Sequence, residues 1–252
     1  LIASGIRSVQ EIPPGFPLSD KQRQHVEVIR AGGPLIRRGQ IEQEFRTLEF
    51  PVSFLDYETF GAAVPLFDGY GPYAPVVFQY SLHILDGPGS EPEHFECLLT
   101  GDDDPGPALL DDLAGHLPAT GSVVVWYKPF EMTRNKEMAE RYPEYREFID
   151  NLNGRVYDLM EIVSKGLYIH PAFHGSASIK KVLPVLVPEL DQGYTGLEIS
   201  DGEEAMLAWH QIVSGEIFPG DIEQTRKDLL AYCKLDTLAM VRIYQAICYE
   251  LA

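Results

Sequence analysis

The sequence predicts a layered α/β or α+β domain, and three observations carry that prediction. Apolar strand-like runs cluster early, at 52–55, 76–85 and about 94–99. Helical stripes follow, interleaved with one more apolar run at 122–126. Strands first and helices interleaved afterwards describe a sheet covered by helices.

Residues 1–48 read as a small helical lead-in or linker from a missing N-terminal domain, and 49–252 as the main domain. Ser19-Asp20-Lys21-Gln22 has capping-box spacing, and Gly32-Gly33 is a stop. Gly5 to Ile12 resembles a short helical segment common in nucleic-acid-processing proteins, or is a packing helix. After the Val52 strand comes a Gly/Pro-rich loop, 61–75. Val76 to Leu85 then alternates with period two. Gly87-Pro88-Gly89 turns the chain into a third strand, so the first three strands form an antiparallel meander. Asp102, Asp103 and Asp104 read as a solvated turn. Leu109, Leu110, Leu113 and Leu117 mark a helix face. Pro129 opens a charged helix to about Arg141, and a second short helix fits Pro143 to Leu152. Ser178 to Leu183 is a helix ended by Pro184. Asp201 caps a helix that Gly215 ends, and the last helices span Ile222 to Leu251.

Composition bounds the function. With 45% hydrophobic residues, the 252-residue chain holds a sizeable core. No apolar run approaches the ~20 residues of a membrane-spanning helix, and no signal peptide is visible. The chain starts at Leu1 rather than Met and is read as a fragment or a processed product. Cys97, Cys233 and Cys248 are odd in number and lack C-x-x-C spacing. They suggest reduced thiols in a cytoplasmic protein, not a disulfide framework or a zinc site. A net charge of −18 repels phosphate backbones over about 8–10 Å. This counts against tight nonspecific DNA binding, but not against an enzyme that grips a few nucleotides through cations.

Chemistry centres on Asp56-Tyr57-Glu58-Thr59. Period two puts Asp56 and Glu58 on one strand face, where like charges need a proton or a cation between them. A two-ion phosphodiesterase needs further hard oxygen ligands. Glu131, just past the Val123–Trp126 run, and Asp236, in an apolar helix, are candidates. Tyr232 lies four residues before Asp236, on the same helical face, where it can orient or help deprotonate a water. Each has an ordinary reading: D-x-E as a strand edge, Glu131 as a helix N-terminal charge, Tyr232 as packing. Asp158 reads as a cap or structural hydrogen bond rather than a ligand. His83, His170 and His174 lack ligand spacing.

D-x-E-T on a first strand, a carboxylate after a later strand and Y-x-x-x-D on a C-terminal helix resemble the three motifs of the DEDD 3′–5′ exonucleases. The tyrosine matches their Tyr-bearing subclass. The resemblance implies a ribonuclease H-like mixed sheet, antiparallel in its first three strands and then parallel, flanked by helices. It implies two Mg²⁺ or Mn²⁺ held by Asp56, Glu58, Glu131 and Asp236, with Tyr232 positioning water. The expected activity is 3′–5′ exonuclease action on DNA or RNA, most simply at a single-stranded end. Thr59, Phe60, Lys128 and Lys180 are candidate substrate contacts, and Tyr57 and Phe60 stack on a base or pack beneath the site. The sequence is also similar to an uncharacterised bacterial domain family carrying F-L-D-[FY]-E-T-F, P-L-F-D-G, S-I-K-x-V-L-P and Y-C-x-x-D-T. Here these are Phe54–Phe60, Pro65–Gly69, Ser178–Pro184 and Tyr232–Thr237. That family lies C-terminal to restriction-type nuclease domains, which implies a covalently linked partner domain. Two positions depart from the exonuclease motifs: Glu131 stands where Asp is usual, and Lys128 where Asn is usual. Lys128 can offset the acidic cluster, contact phosphate or mark an altered site. The alternatives are therefore a catalytically inactive module that binds nucleic acid or a partner, and a phosphatase or small-nucleotide hydrolase using the same carboxylates.

Overall fold

A capped helix begins the chain. The computed structural model describes residues 5–190 and 197–251; Leu1 lies outside them. The Ser19 hydroxyl accepts from Gln22 N–H, the Gln22 side chain accepts from Ser19 N–H, and Gly32 at φ 71° closes α1 (Asp20–Ala31). The stretch expected as a helix near Gly5–Ile12 forms only a 3-10 turn at Val9–Glu11. Pro13 and Pro14 follow at once and lack the N–H groups a longer helix would use.

Residues 35–48 are stitched to the body. In β1 (Leu35–Ile36), Leu35 pairs with Ile169 and Ile36 with Tyr168, and Ile41 of α2 (Arg38–Phe45) is fully buried.

Next comes the meander β2 (Val52–Phe60), β3 (Val76–Leu85) and β4 (Glu93–Leu98), antiparallel throughout. Helix α3 (Gly106–His116) leads to β5 (Val123–Val125), which lies parallel to β2. Asp104, expected in a solvated turn, instead accepts from the Tyr142 hydroxyl at 2.7 Å and from Gly106 N–H. Helices α4 (Lys128–Arg141) and α5 (Arg146–Asn153) lead to β6 (Val156–Asp158), parallel to β5. The main sheet is thus mixed and five-stranded, in the order β4-β3-β2-β5-β6.

The rest of the chain is α6 (Glu161–Ser164), β7 (Tyr168–Ile169), α7 (Ile179–Leu186), α8 (Gly202–Val213) and α9 (Ile222–Leu251). Pro184 does not end α7. The helix runs on to Leu186, and Val187 N–H bonds the Leu183 carbonyl. Asp201 caps α8 by accepting from Glu203 and Glu204 N–H. The expected last helices are one helix of 30 residues.

Helices cover both faces of the sheet. Leu55, Tyr57, Tyr80 and Leu82 pack on one face against Leu109, Leu113, Met138 and Ile149. Val52 and Phe54 pack on the other against Val182, Leu183, Met240 and Ile243. Phe60 and Phe78 join Trp209, Leu229 and Tyr232. Each fully buried side chain of this size contributes about 1.5–3 kcal/mol. Because both faces are covered, the polar positions of β3 are buried too. Gln79 Nε2 donates to the Leu229 carbonyl at 2.9 Å. Ser81 Oγ and His83 Nδ1 meet Thr237 Oγ1 at 2.7 and 2.8 Å. This polar seam fixes α9 across the meander.

Candidate metal centre

The centre forms where β2, α4 and α9 converge. Asp56 and Glu58 leave β2 on one face, opposite Ser81 and Gln79 of β3, just before a register shift between Glu58 and Thr59. Helix α9 crosses that face and brings Tyr232, Cys233 and Asp236 to it. Ligand atoms of Asp56, Glu58 and Cys233 all lie within 4.8 Å of one another, and Cys233 Sγ is 3.8 Å from Asp56 Oδ2. Glu131 lies in the first turn of α4, which leaves the sheet just past β5, the strand beside β2. It is 2% exposed, and its Oε2 has no hydrogen-bond partner.

Electrostatics tie the carboxylates together. Burial, then the charge of Asp236, pushes the Asp56 carboxyl well above the usual range. Burial, then Asp56 and Asp236, does the same to Glu58, against a lowering by Lys180. Burial, then Asp56 and Glu58, raises Glu131, opposed by Arg134. Such a group is stable at neutral pH only if it takes up protons or cations. Tyr232 and Cys233 are raised by burial and then by nearby carboxylates. The Tyr232 phenol therefore stays protonated.

Other expected residues occupy varied positions. Lys180 Nζ lies 5.9 Å from the centroid of the Tyr232 ring and donates to the Ser200 carbonyl at 2.7 Å. Lys128 Nζ donates to the Val156 carbonyl at 2.7 Å. Phe60 is buried, with ring centroids 5.2 Å from Trp209 and 5.0 Å from His210. The His210 ring is stacked on it and Trp209 is tilted against it. Thr59 sits at the register shift, half-buried. Asp158 is a cap: its carboxylate accepts from the N–H groups of Tyr127, Lys128 and Met160. His83 bonds Thr237, and His170 Nδ1 accepts from Ala172 N–H.

A family model for a domain of unknown function (DUF2779) matches residues 53–178, half of the chain. The chain belongs to this family. The matched DUF2779 segment contains Asp56, Glu58 and Glu131, while Tyr232, Cys233 and Asp236 lie beyond it. Two uncharacterised proteins are also similar to the chain. Uncharacterized protein UU173 of Ureaplasma parvum is 28% identical over 79% of this chain. The MG366 homolog of Mycoplasma pneumoniae is 28% identical over 75% of it. The chain spans 31% of the length of each of these relatives. No solved structure matches it.

Sequence reasoning missed Cys233 at this DUF2779 centre, and for Tyr57 and Asp158, which it does weigh, it missed the partners. Cys233 lacks the cysteine partners of a zinc site, yet its i, i+3 spacing to Asp236 places both on one helical face. Tyr57 is buried with an unpartnered hydroxyl, and the charges of Glu131 and Asp56 act on it. Asp158 holds the turn that delivers Glu131. No local pattern signals that role, since the bonds span about thirty residues.

Proposed function

We propose that this DUF2779 domain is a metal-dependent 3′–5′ exonuclease of ribonuclease H-like fold, hydrolysing terminal phosphodiesters of DNA or RNA. The observation that carries the reading is that ligand atoms of Asp56 and Glu58 lie within 4.8 Å of each other, with Asp236 and Glu131 near enough for the charges to act between them and Glu131 Oε2 buried and unpartnered. An orphaned carboxylate oxygen among mutually repelling acids fits hard divalent cations. The strand order, with three antiparallel strands and then two parallel ones, supports the fold assignment.

Asp56, Glu58, Glu131 and Asp236 would hold two Mg²⁺ or Mn²⁺. When bound, such ions make water more acidic and neutralise charge that develops on a phosphoryl group. The chain's own groups do the positioning. Tyr232, kept protonated by burial, donates a hydrogen bond that orients the attacking water. Lys180, beside Glu58 and the Tyr232 ring, supplies positive charge for a phosphate of the substrate. The −18 net charge disfavours a long duplex and suits a short single-stranded end. The greater length of the relatives leaves room for a covalently linked nuclease domain.

The test uses single-stranded DNA and RNA oligonucleotides labelled at the 5′ end, with Mg²⁺ or Mn²⁺, beside Asp236→Ala. A ladder that shortens from the 3′ end with wild type and is absent with the variant is the expected result. No ladder on either sugar overturns the reading in favour of an inactive binding module, which the acidic net charge would suit.

A further inference from the structure

We propose that Cys233 is a sulfur ligand of this centre, so that the corner formed by Asp56, Glu58 and Cys233 takes a borderline-soft divalent cation of the zinc class. The inference rests on the metal-site reading above and names the cation for one corner of it. Hard carboxylates alone suit Mg²⁺ or Mn²⁺, whereas a thiolate beside them shifts preference towards Zn²⁺ and Co²⁺.

The distances fit. The three ligand atoms lie within 4.8 Å of one another. Around a tetrahedral ion with metal–sulfur and metal–oxygen bonds of about 2.3 and 2.1 Å, ligand atoms lie about 3.4–3.6 Å apart. Cys233 Sγ and Asp56 Oδ2, at 3.8 Å, are already near that separation, and side-chain shifts of up to about an ångström close the rest of the corner. Glu131 supplies the independent sign of a missing partner. It is 2% exposed, its Oε2 is unpartnered, and the charges of Asp56 and Glu58 act on it.

A buried thiol more often packs as a small hydrophobe. Cys233 differs in its surroundings. Its Sγ contacts Asp56, and the charges of Asp56, Glu58, Asp236 and Glu131 all reach it. That is a poor setting for an apolar filler. On coordination the Sγ–H bond breaks, the proton leaves to solvent and an Sγ–metal bond forms, with no change of oxidation state. Zn²⁺ then competes with Mg²⁺ for this corner.

The experiment titrates Co²⁺ into the metal-free chain and records its absorption spectrum, with Mn²⁺ binding measured separately by calorimetry. A sulfur-to-cobalt charge-transfer band is expected in the wild type. It should persist in Cys97→Ser/Cys248→Ser and vanish in Cys233→Ser and Cys233→Ala. Zn²⁺ affinity should fall roughly tenfold or more in both Cys233 variants. The wild-type spectrum and the double variant keep the test decisive if a Cys233 variant does not fold. Mn²⁺ binding with no charge-transfer band, or a band lost in the double variant, overturns the sulfur ligand and leaves the carboxylate site standing. No binding of either ion overturns both readings.

Discussion

Ser81 Oγ and Thr237 Oγ1 meet at 2.7 Å across 156 residues of sequence. Thr237 also receives His83, and it directly follows Asp236. The contact therefore sets the register of α9 against the meander and with it the position of Asp236. Thr237→Val keeps the shape but leaves two buried polar partners short. It should lower stability by about 1–3 kcal/mol, read from the urea midpoint. On the proposed function, nuclease activity should fall further than stability alone explains.

Metal dependence of stability provides a second check. Glu131 is buried and pushed up by burial, then by Asp56 and Glu58. Glu131→Gln removes a charge that has no partner at Oε2, so the metal-free melting temperature should rise by a few degrees. Millimolar Mn²⁺ should raise the wild-type melting temperature by mass action, with ~2.7 kcal/mol expected at a hundred times Kd. The same addition should barely move Asp56→Ala/Asp236→Ala. An equal shift in that double variant would sink the specific site.

Acid should loosen the seam under α9. Burial, then His94, Lys234 and Arg242, lowers His83 to about 3. Burial, then Lys234, lowers His94 to about 4. The rings stand 4.4 Å apart, and His94 Nε2 faces Ser81 and Glu96. Both histidines have folded pKa values below the unfolded value of about 6.5, so the unfolded chain binds more protons in between. Their contribution is whole above about pH 6.5 and is lost as pH falls towards 4 and then 3. Raised carboxyls such as Glu58 act in the opposite sense, so the check is a difference. His83→Gln should show a flatter loss of stability than wild type between pH 7 and 5.

Backbone strain at the head of α4 makes a fourth prediction. Tyr127 has φ 88° and is 51% exposed, and Asp158 holds the turn by accepting from Tyr127 and Lys128 N–H. A bulky residue in the left-handed region costs about 1–2 kcal/mol. Tyr127→Gly should raise the melting temperature, because glycine adopts that φ freely. Asp158→Ala should lower it and, on the proposed function, reduce nuclease activity, because the turn that presents Glu131 loses its anchor. A drop in melting temperature for Tyr127→Gly would mean the ring contributes packing that outweighs the strain.

Period two along β2 and β3, the apolar face of α3, the Ser19 and Asp201 caps and the order of Asp56, Glu58, Glu131, Tyr232 and Asp236 were all determined by sequence. These depend on neighbours within a few residues, where local geometry is fixed by φ and ψ. Tertiary structure alone decided the rest. It buried Gln79, Ser81 and His83 under α9, when alternation alone would put one strand face in water. It brought Cys233 against Asp56 and gave Asp158, read as a cap from sequence, its partners at Tyr127 and Lys128. It also carried α7 past Pro184 and merged the last helical segments into α9. The buried seam, the Cys233 contact and the Asp158 bonds depend on partners dozens to more than a hundred residues apart, and burial there rewards contacts that no local pattern encodes.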